Sequence, residues 1–309
     1  MISCTEFIPA YSTLFTYLEE TFGPEAVPNY WDTHFDYTKS ALYHHVKNEG
    51  LRGCFSYWRV SLNEEAADFG LYLNEARGFF FLKMNQCPSK GRLLKMQSEI
   101  GVPPYHGYCL HCDYYRAAIE ANGFCYIFNC EGADRAACNI LIYDPKIFDG
   151  RVIIDETTEI MERTAADNEY FHQAFHGSLN KGIDFLGTHH TVEHIRAYLT
   201  KFAETVYRPV YEAMQQRGLA ALEEKILDTY AKEHAPEAVS TELTEDALTV
   251  TVAWCPAVKY FNSKNIKITP WYSMSTEVVM EVLAKKAGYR FTMEHYNPET
   301  GAARYRFQK

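Results

Sequence analysis

Hydrophobic positions recur every three to four residues over 6–22, 25–48 and 52–67, and again over 167–187, 192–217 and 219–234. This predicts two runs of three helices. Within 192–217, Ile195, Leu199, Phe202, Val206 and Val210 keep the helical spacing, so that face is expected in a core. Gly50 and Gly218 stand just past the second helix of each run, the usual helix stop. The period then changes to two. Phe80, Leu82 and Met84 in one half, and Leu248, Val250 and Val252 in the other, predict a half-buried strand. Each strand ends in Cys-Pro, Cys87-Pro88 or Cys255-Pro256, where the proline cannot donate to a ladder. A helix over 110–122, and a counterpart over 275–287, run through Gly123-Phe124 and Gly288-Tyr289 into closing strands. Those strands are expected at 124–130 with 137–143, and at 289–295 with 302–307. Asn297-Pro298-Glu299-Thr300-Gly301 has the composition of a hairpin turn. Residues 144–165 connect the halves and carry a strand-like run, Val152-Ile153-Ile154.

The two halves share their punctuation. Residues 7–88 moved on by 168 positions fall without a gap on 175–256: Leu18 meets Leu186, Tyr30 meets Tyr198, Gly50-Leu51 meets Gly218-Leu219, and Cys87-Pro88 meets Cys255-Pro256. Beyond Cys-Pro the offset becomes about 165. The expectation is an α+β protein built by tandem duplication. Each repeat would pack a few helices on a small antiparallel sheet, the two related by a pseudo-twofold. Residues 1–150 would form a repeat with a cysteine-rich site, and 151–309 a second, degenerate one.

A chain of 309 residues with 47% hydrophobic residues can bury a full core. The net charge of −10 argues against nucleic acid and anionic lipid as partners. No apolar run long enough to span a bilayer and no basic leader followed by an apolar stretch occurs, so a cytoplasmic protein is expected. Nine cysteines, eight of them at or before residue 138, then read as reduced thiols rather than a disulfide framework.

The densest local signal is Tyr108-Cys109-Leu110-His111-Cys112-Asp113 at the start of a predicted helix, where backbone N–H groups favour a thiolate. A sheet folded as the pattern suggests would bring Cys87, Cys109, Cys112 and Cys138 together. Three readings stay open: small buried hydrophobes, a zinc or iron–sulfur centre held by the four thiols, or a catalytic thiolate with His111 or Asp113 as its acid–base partner. Tyr105, Tyr108 and Tyr126 would wall a small pocket. His172 and His176 share a helix face at metal-binding spacing but lack the glutamate of the zinc-protease motif, so capping or solvated roles are favoured. Glu64-Glu65 and Glu223-Glu224 read as solvated helix faces. No phosphate loop and no G-x-S-x-G is present.

Cys87-Pro88, Tyr108-Cys109 with Asp113, Gly123-Phe124 and Cys138 in a strand together resemble the bacterial L-2-amino-thiazoline-4-carboxylic acid hydrolase-like proteins, over roughly residues 15–143. The resemblance implies a hydrolase that opens a small cyclic amidine or amide at a carbon–nitrogen or carbon–sulfur bond. Cys87, Cys109, Asp113 and Cys138 match the pattern; Cys112 and the duplication depart from it. On this reading Cys109 or Cys112 attacks, His111 or Asp113 moves the proton, and Tyr108 orients the substrate. The alternative is a non-catalytic sensor that holds metal on the same cysteines. A small-molecule ligand and a homodimer complete the expectation.

Overall fold

The computed structural model describes residues 1–309 as an α+β protein with two antiparallel sheets. The chain forms two compact units. One comprises Phe22–Glu99 and Pro103–His172; the other comprises Met1–Thr21, Ile100–Val102 and Gln173–Lys309. These bounds do not fall at residue 150. The first predicted helix, α1 (Phe7–Phe22), belongs to the second unit, and residues 151–172 belong to the first.

In the first, cysteine-rich unit the predicted helix 25–48 is two helices, α2 (Ala26–His34) and α3 (Ala41–Glu49). Capping side chains cause the break. Asp36 accepts from the Thr38 N–H, and Ser40 Oγ accepts from the Tyr43 N–H, opening a new helix start. Helix α4 (Leu51–Glu64) follows. Leu51, Phe55, Trp58 and Leu62 form its buried stripe, and Trp58 stacks on Phe80 at 5.5 Å. Next come β1 (Asp68–Asn74), β2 (Phe79–Gln86) and α5 (Pro88–Ile100). A tight 3-10 segment (Tyr108–Tyr114) leads into α6 (Tyr115–Glu120), then β3 (Cys125–Asn129), β4 (Cys138–Tyr143) and β5 (Glu159–Arg163). The strand order is β3-β4-β2-β1-β5.

One strand of this sheet carries no sequence signal, and one expectation fails. Strand β1 has no hydrophobic alternation because nearly all of it is buried: Phe69, Leu71 and Leu73 alternate with Gly70, Tyr72 and Asn74, which are covered too. Asn74 is satisfied there by Asp155, Thr157 and Thr158. Val152-Ile153-Ile154 is irregular, and the strand of the connecting segment lies later, where Glu159–Arg163 pairs with β1.

The second unit holds α1, α7 (Ala174–His189), α8 (Val192–Val206), α9 (Arg208–Arg217) and α10 (Leu219–Lys232). Strands β6 (Val239–Leu243) and β7 (Ala247–Val252), helices α11 (Pro256–Ser263) and α12 (Met274–Ala287), and strands β8 (Arg290–Tyr296) and β9 (Ala303–Gln308) complete it. Its sheet order is β6-β7-β9-β8. The predicted helix 192–217 is broken at Tyr207 because Pro209 lacks the amide that would continue it. Ile195, Leu199 and Phe202 are fully buried, whereas Val206 and Val210 are only half-buried. The Asn297–Gly301 turn forms as read: the Gly301 N–H donates to Asn297 O at 2.7 Å, with Gly301 at φ 67°.

Two glycines in helices separate close packing from propensity. A Cβ on Gly53 would stand 2.2 Å from the His45 carbonyl oxygen, whereas one on Gly177 meets nothing nearer than 3.8 Å. Gly53→Ala is expected to destabilise by about 1–3 kcal/mol through that backbone clash. Gly177→Ala is expected to stabilise by about 0.4–1 kcal/mol. Melting temperatures of the two variants check the opposite signs.

Candidate active site

One cavity dominates the cysteine-rich unit, with about 740 Å³ of empty space partly open to solvent. Its floor is one face of the sheet: Leu82 and Met84 of β2, Cys138 and Ile140 of β4, and Phe128 of β3. Trp58, Leu62 and Glu65 at the end of α4 form one wall, and the start of α5 with the 3-10 segment forms another.

Cys87, Cys109, Cys112 and Cys138 all line this cavity, together with His111 and Tyr108. Cys138 reaches it because β4 pairs with β2 in the register Met84↔Cys138. Cys87 reaches it because it is the last residue before Pro88, which ends the ladder two residues after β2. The Cys87 amide donates to Ala136 O at 2.6 Å, and its sulfur accepts from the Lys90 N–H at 3.4 Å. No three of the four sulfurs come within 4.8 Å of one another. That separates them from shared tetrahedral ligation, which needs sulfurs roughly 4 Å apart around one ion.

The thiols are not acidified. Burial pushes Cys87 up to about 12 despite the helix amide at its sulfur, with Glu65 and Cys109 adding to the rise. Burial, then the neighbouring Cys87, Cys109 and Cys130, carries Cys138 to about 12. Burial also raises Cys109, against the opposing charge of Lys90. Cys112 lies well above the ordinary thiol value through burial and the crowding of Cys87, Cys138 and Cys109. The expected lowering at a helix start therefore does not occur. Cys109 and Cys112 sit in a short 3-10 segment, whose few aligned dipoles do not offset lost solvation.

Within the cavity, His111 makes an acid–base contact to a thiol. Its Nδ1–H donates to the Tyr108 carbonyl, which leaves Nε2 as a bare acceptor facing Cys112 Sγ at 3.7 Å. Burial lowers the His111 pKa, although the Tyr108 bond opposes that, so the neutral ring is favoured. Both side chains are half-buried: crowded by protein on most sides, with the remaining surface facing the cavity. Tyr108 packs edge-on against this imidazole at 4.9 Å.

Three residues expected at the site do not line the cavity. Asp113 pairs with Arg116 at 2.7 Å, and Arg116 also donates to Tyr126 O at 2.8 Å, so the carboxylate anchors the segment to β3. The Tyr126 hydroxyl is spent on the Cys112 carbonyl at 2.8 Å. Tyr105 is buried in the loop before the segment, where its carbonyl accepts from the Tyr108 N–H at 3.1 Å. The His172/His176 pair does not share a helix face. His172 precedes α7 and bonds Glu64 at 2.6 Å, whereas His176 lies inside the helix and bonds Glu233 at 2.9 Å.

Two charged groups escaped the sequence reading. Lys90 is only 8% exposed, lines the cavity and makes no ion pair. Glu65 lies just past the end of α4, so it turns into the cavity wall instead of joining a solvated helix face. Burial raises its carboxyl, tempered by the positive charge of His172 and Arg92. No spacing motif flags either residue.

The second unit has a smaller cavity, with about 330 Å³ of empty space, lined by Tyr230, Val252, Cys255, Thr276, Gly301, Ala303 and Tyr305 among others. No helix is long and apolar enough to cross a membrane. Comparison of the chain with protein-family models, with curated proteins and with solved structures finds no match.

Proposed function

We propose that the cysteine-rich unit is a thiol hydrolase that opens a small cyclic amidine or amide carrying an acidic group. The observation that carries this reading is the His111 Nε2–Cys112 Sγ contact, with the tautomer set by the Tyr108 carbonyl. Because burial keeps the thiol protonated, attack and proton transfer are joined. Cys112 Sγ bonds to the electrophilic ring carbon as its proton passes to His111 Nε2. The imidazolium returns that proton to the departing ring nitrogen or sulfur. Water then adds to the Cys112-bound carbon with His111 again accepting a proton, and the thiol is released. Lys90 supplies a buried cation for a substrate carboxylate beside an apolar floor. Among the thiols, Cys112 is the nucleophile that this geometry favours. Cys87, Cys109 and Cys138 keep the cavity apolar, with Asp113 positioning the segment.

We infer also that the two halves of the chain derive from one duplicated ancestor. Leu62, Met84 and Cys87 of the large cavity fall, 168 positions on, upon Tyr230, Val252 and Cys255 of the small one. At the later offset of about 165, His111, Ala136, Cys138 and Ile140 fall upon Thr276, Gly301, Ala303 and Tyr305. The strand orders β3-β4-β2-β1 and β8-β9-β7-β6 correspond as well. Chemistry of the proposed kind belongs to the first unit, because the second has threonine where His111 stands.

Turnover of 2-aminothiazoline-4-carboxylate and related cyclic amidines, followed by ring-opened product, tests the reading. Cys112→Ser and His111→Gln are each expected to lower kcat by about 10²–10⁴-fold, and Lys90→Ala to raise KM by about tenfold or more at little cost in kcat. Cys109→Ser retaining less activity than Cys112→Ser would reverse the assignment of the nucleophile.

The pH profile has a defined sign. His111 works as a base in its neutral form, and its pKa is lowered, so kcat/KM should rise on leaving acid with its midpoint below the ordinary imidazole value near 6.5. Alkylation of the cavity thiols by iodoacetamide should instead remain slow at neutral pH and keep rising into the alkaline range. A thiol labelled rapidly at pH 6 would contradict the raised pKa values.

A further inference from the structure

The second unit contains a buried cluster that the proposed reaction does not use. Cys4, His176 and Glu233 bring sulfur, imidazole nitrogen and carboxylate oxygen within 4.8 Å of one another, and all three are almost fully buried. Each comes from a different element: the N-terminal 3-10 turn, α7, and the residue that ends α10. Local bonds hold the carboxylate in place. Glu233 Oε1 accepts from the Cys4 N–H at 2.6 Å, and Oε2 bonds His176 Nε2 at 2.9 Å. The carboxylate thus ties together a backbone amide of Cys4 and a ring nitrogen of His176.

The bond to Glu233 occupies His176 Nε2. Nδ1 is buried and has no hydrogen-bond partner. A second polar atom nearby is in the same condition. The Tyr272 hydroxyl, on a residue 3% exposed, is buried without a partner and feels the charges of Cys255, Glu233 and Cys4. Leaving one such group unsatisfied costs about 1–3 kcal/mol. A buried N/S/O donor set already gathered within 4.8 Å, in surroundings that leave polar atoms unpartnered, points to a polar occupant.

We propose that Cys4, His176 and Glu233 bind a divalent transition ion of the zinc class. The donor chemistry fits that ion: thiolate sulfur, imidazole nitrogen and carboxylate oxygen are its usual ligands, at about 2.0–2.3 Å. Two positive charges would meet the Glu233 carboxylate and the thiolate that forms when Cys4 gives up its proton to solvent, and an ion seated between Nε2 and Oε2 displaces the hydrogen shared there, which passes to Nδ1. Three protein donors leave the fourth position of a tetrahedron open. The site shares no residue with the cysteine-rich cavity, so it stands or falls separately from the hydrolase reading.

The test uses the full-length protein, reduced, stripped with a chelator and titrated with Co²⁺ and then Zn²⁺. One equivalent of Co²⁺ should bind and give a thiolate-to-cobalt charge-transfer band that Zn²⁺ abolishes. Zn²⁺ should also raise the melting temperature. Cys4→Ser should remove the band and weaken binding by about 100-fold or more, whereas Cys112→Ser should leave both unchanged. Folding of the variants is checked by circular dichroism, and His176→Gln serves as the second variant if Cys4→Ser is not folded. No stoichiometric uptake by the parent protein, a bound cobalt without the thiolate band, or a band lost in Cys112→Ser and retained in Cys4→Ser would each overturn the proposal.

Discussion

Withdrawal of sulfur from water is the constraint on which the cysteine-rich unit depends. Four thiols line one apolar cavity, and desolvation together with their mutual crowding makes ionising any of them costly. A cysteine enzyme with a resting thiolate needs the opposite surroundings, an electropositive and partly exposed sulfur. In this cavity the acceptor already in place is His111, whose imidazole faces Cys112. The small hydrogen bond from its Nδ1–H to Tyr108 O thereby acquires a large consequence, since it decides which ring nitrogen faces Cys112.

The surrounding architecture serves that contact. Sheet pairing brings Cys138 beside Met84 and sets the floor, and the proline after Cys87 turns the chain into α5 so that Lys90 enters the wall. The Asp113–Arg116–Tyr126 bridge, with the Tyr126 hydroxyl on the Cys112 carbonyl, ties the 3-10 segment to β3. These polar groups hold the segment that carries both His111 and Cys112. Their part is positional, and their own side chains point elsewhere.

Much of this was legible in the sequence, and the misses share physical causes. Helices with one buried stripe and strands with clean alternation, such as α4 and β2, were read correctly because one face meets water. Strand β1 was missed because both of its faces are covered, which erases the period. The cysteines were rightly grouped, since strand ends and Cys-Pro punctuation mark where the chain turns back. Their acidity was misjudged because burial is a tertiary property that a helix-start rule does not contain. Lys90 and Glu65 gave no signal at all: a lone lysine or glutamate near a helix end looks solvated until the fold covers it. Cys4, His176 and Glu233 lie far apart in the chain and form no motif.

The protonation state of the His111–Cys112 pair decides the account most directly. Nitrogen-15 NMR of the folded protein with labelled histidine, assigned through His111→Gln, reads the tautomer and charge of the ring at pH 7. The account predicts a neutral His111 carrying its proton on Nδ1, with Nε2 unprotonated. A doubly protonated ring at that pH, the mark of an imidazolium paired with a Cys112 thiolate, would contradict it.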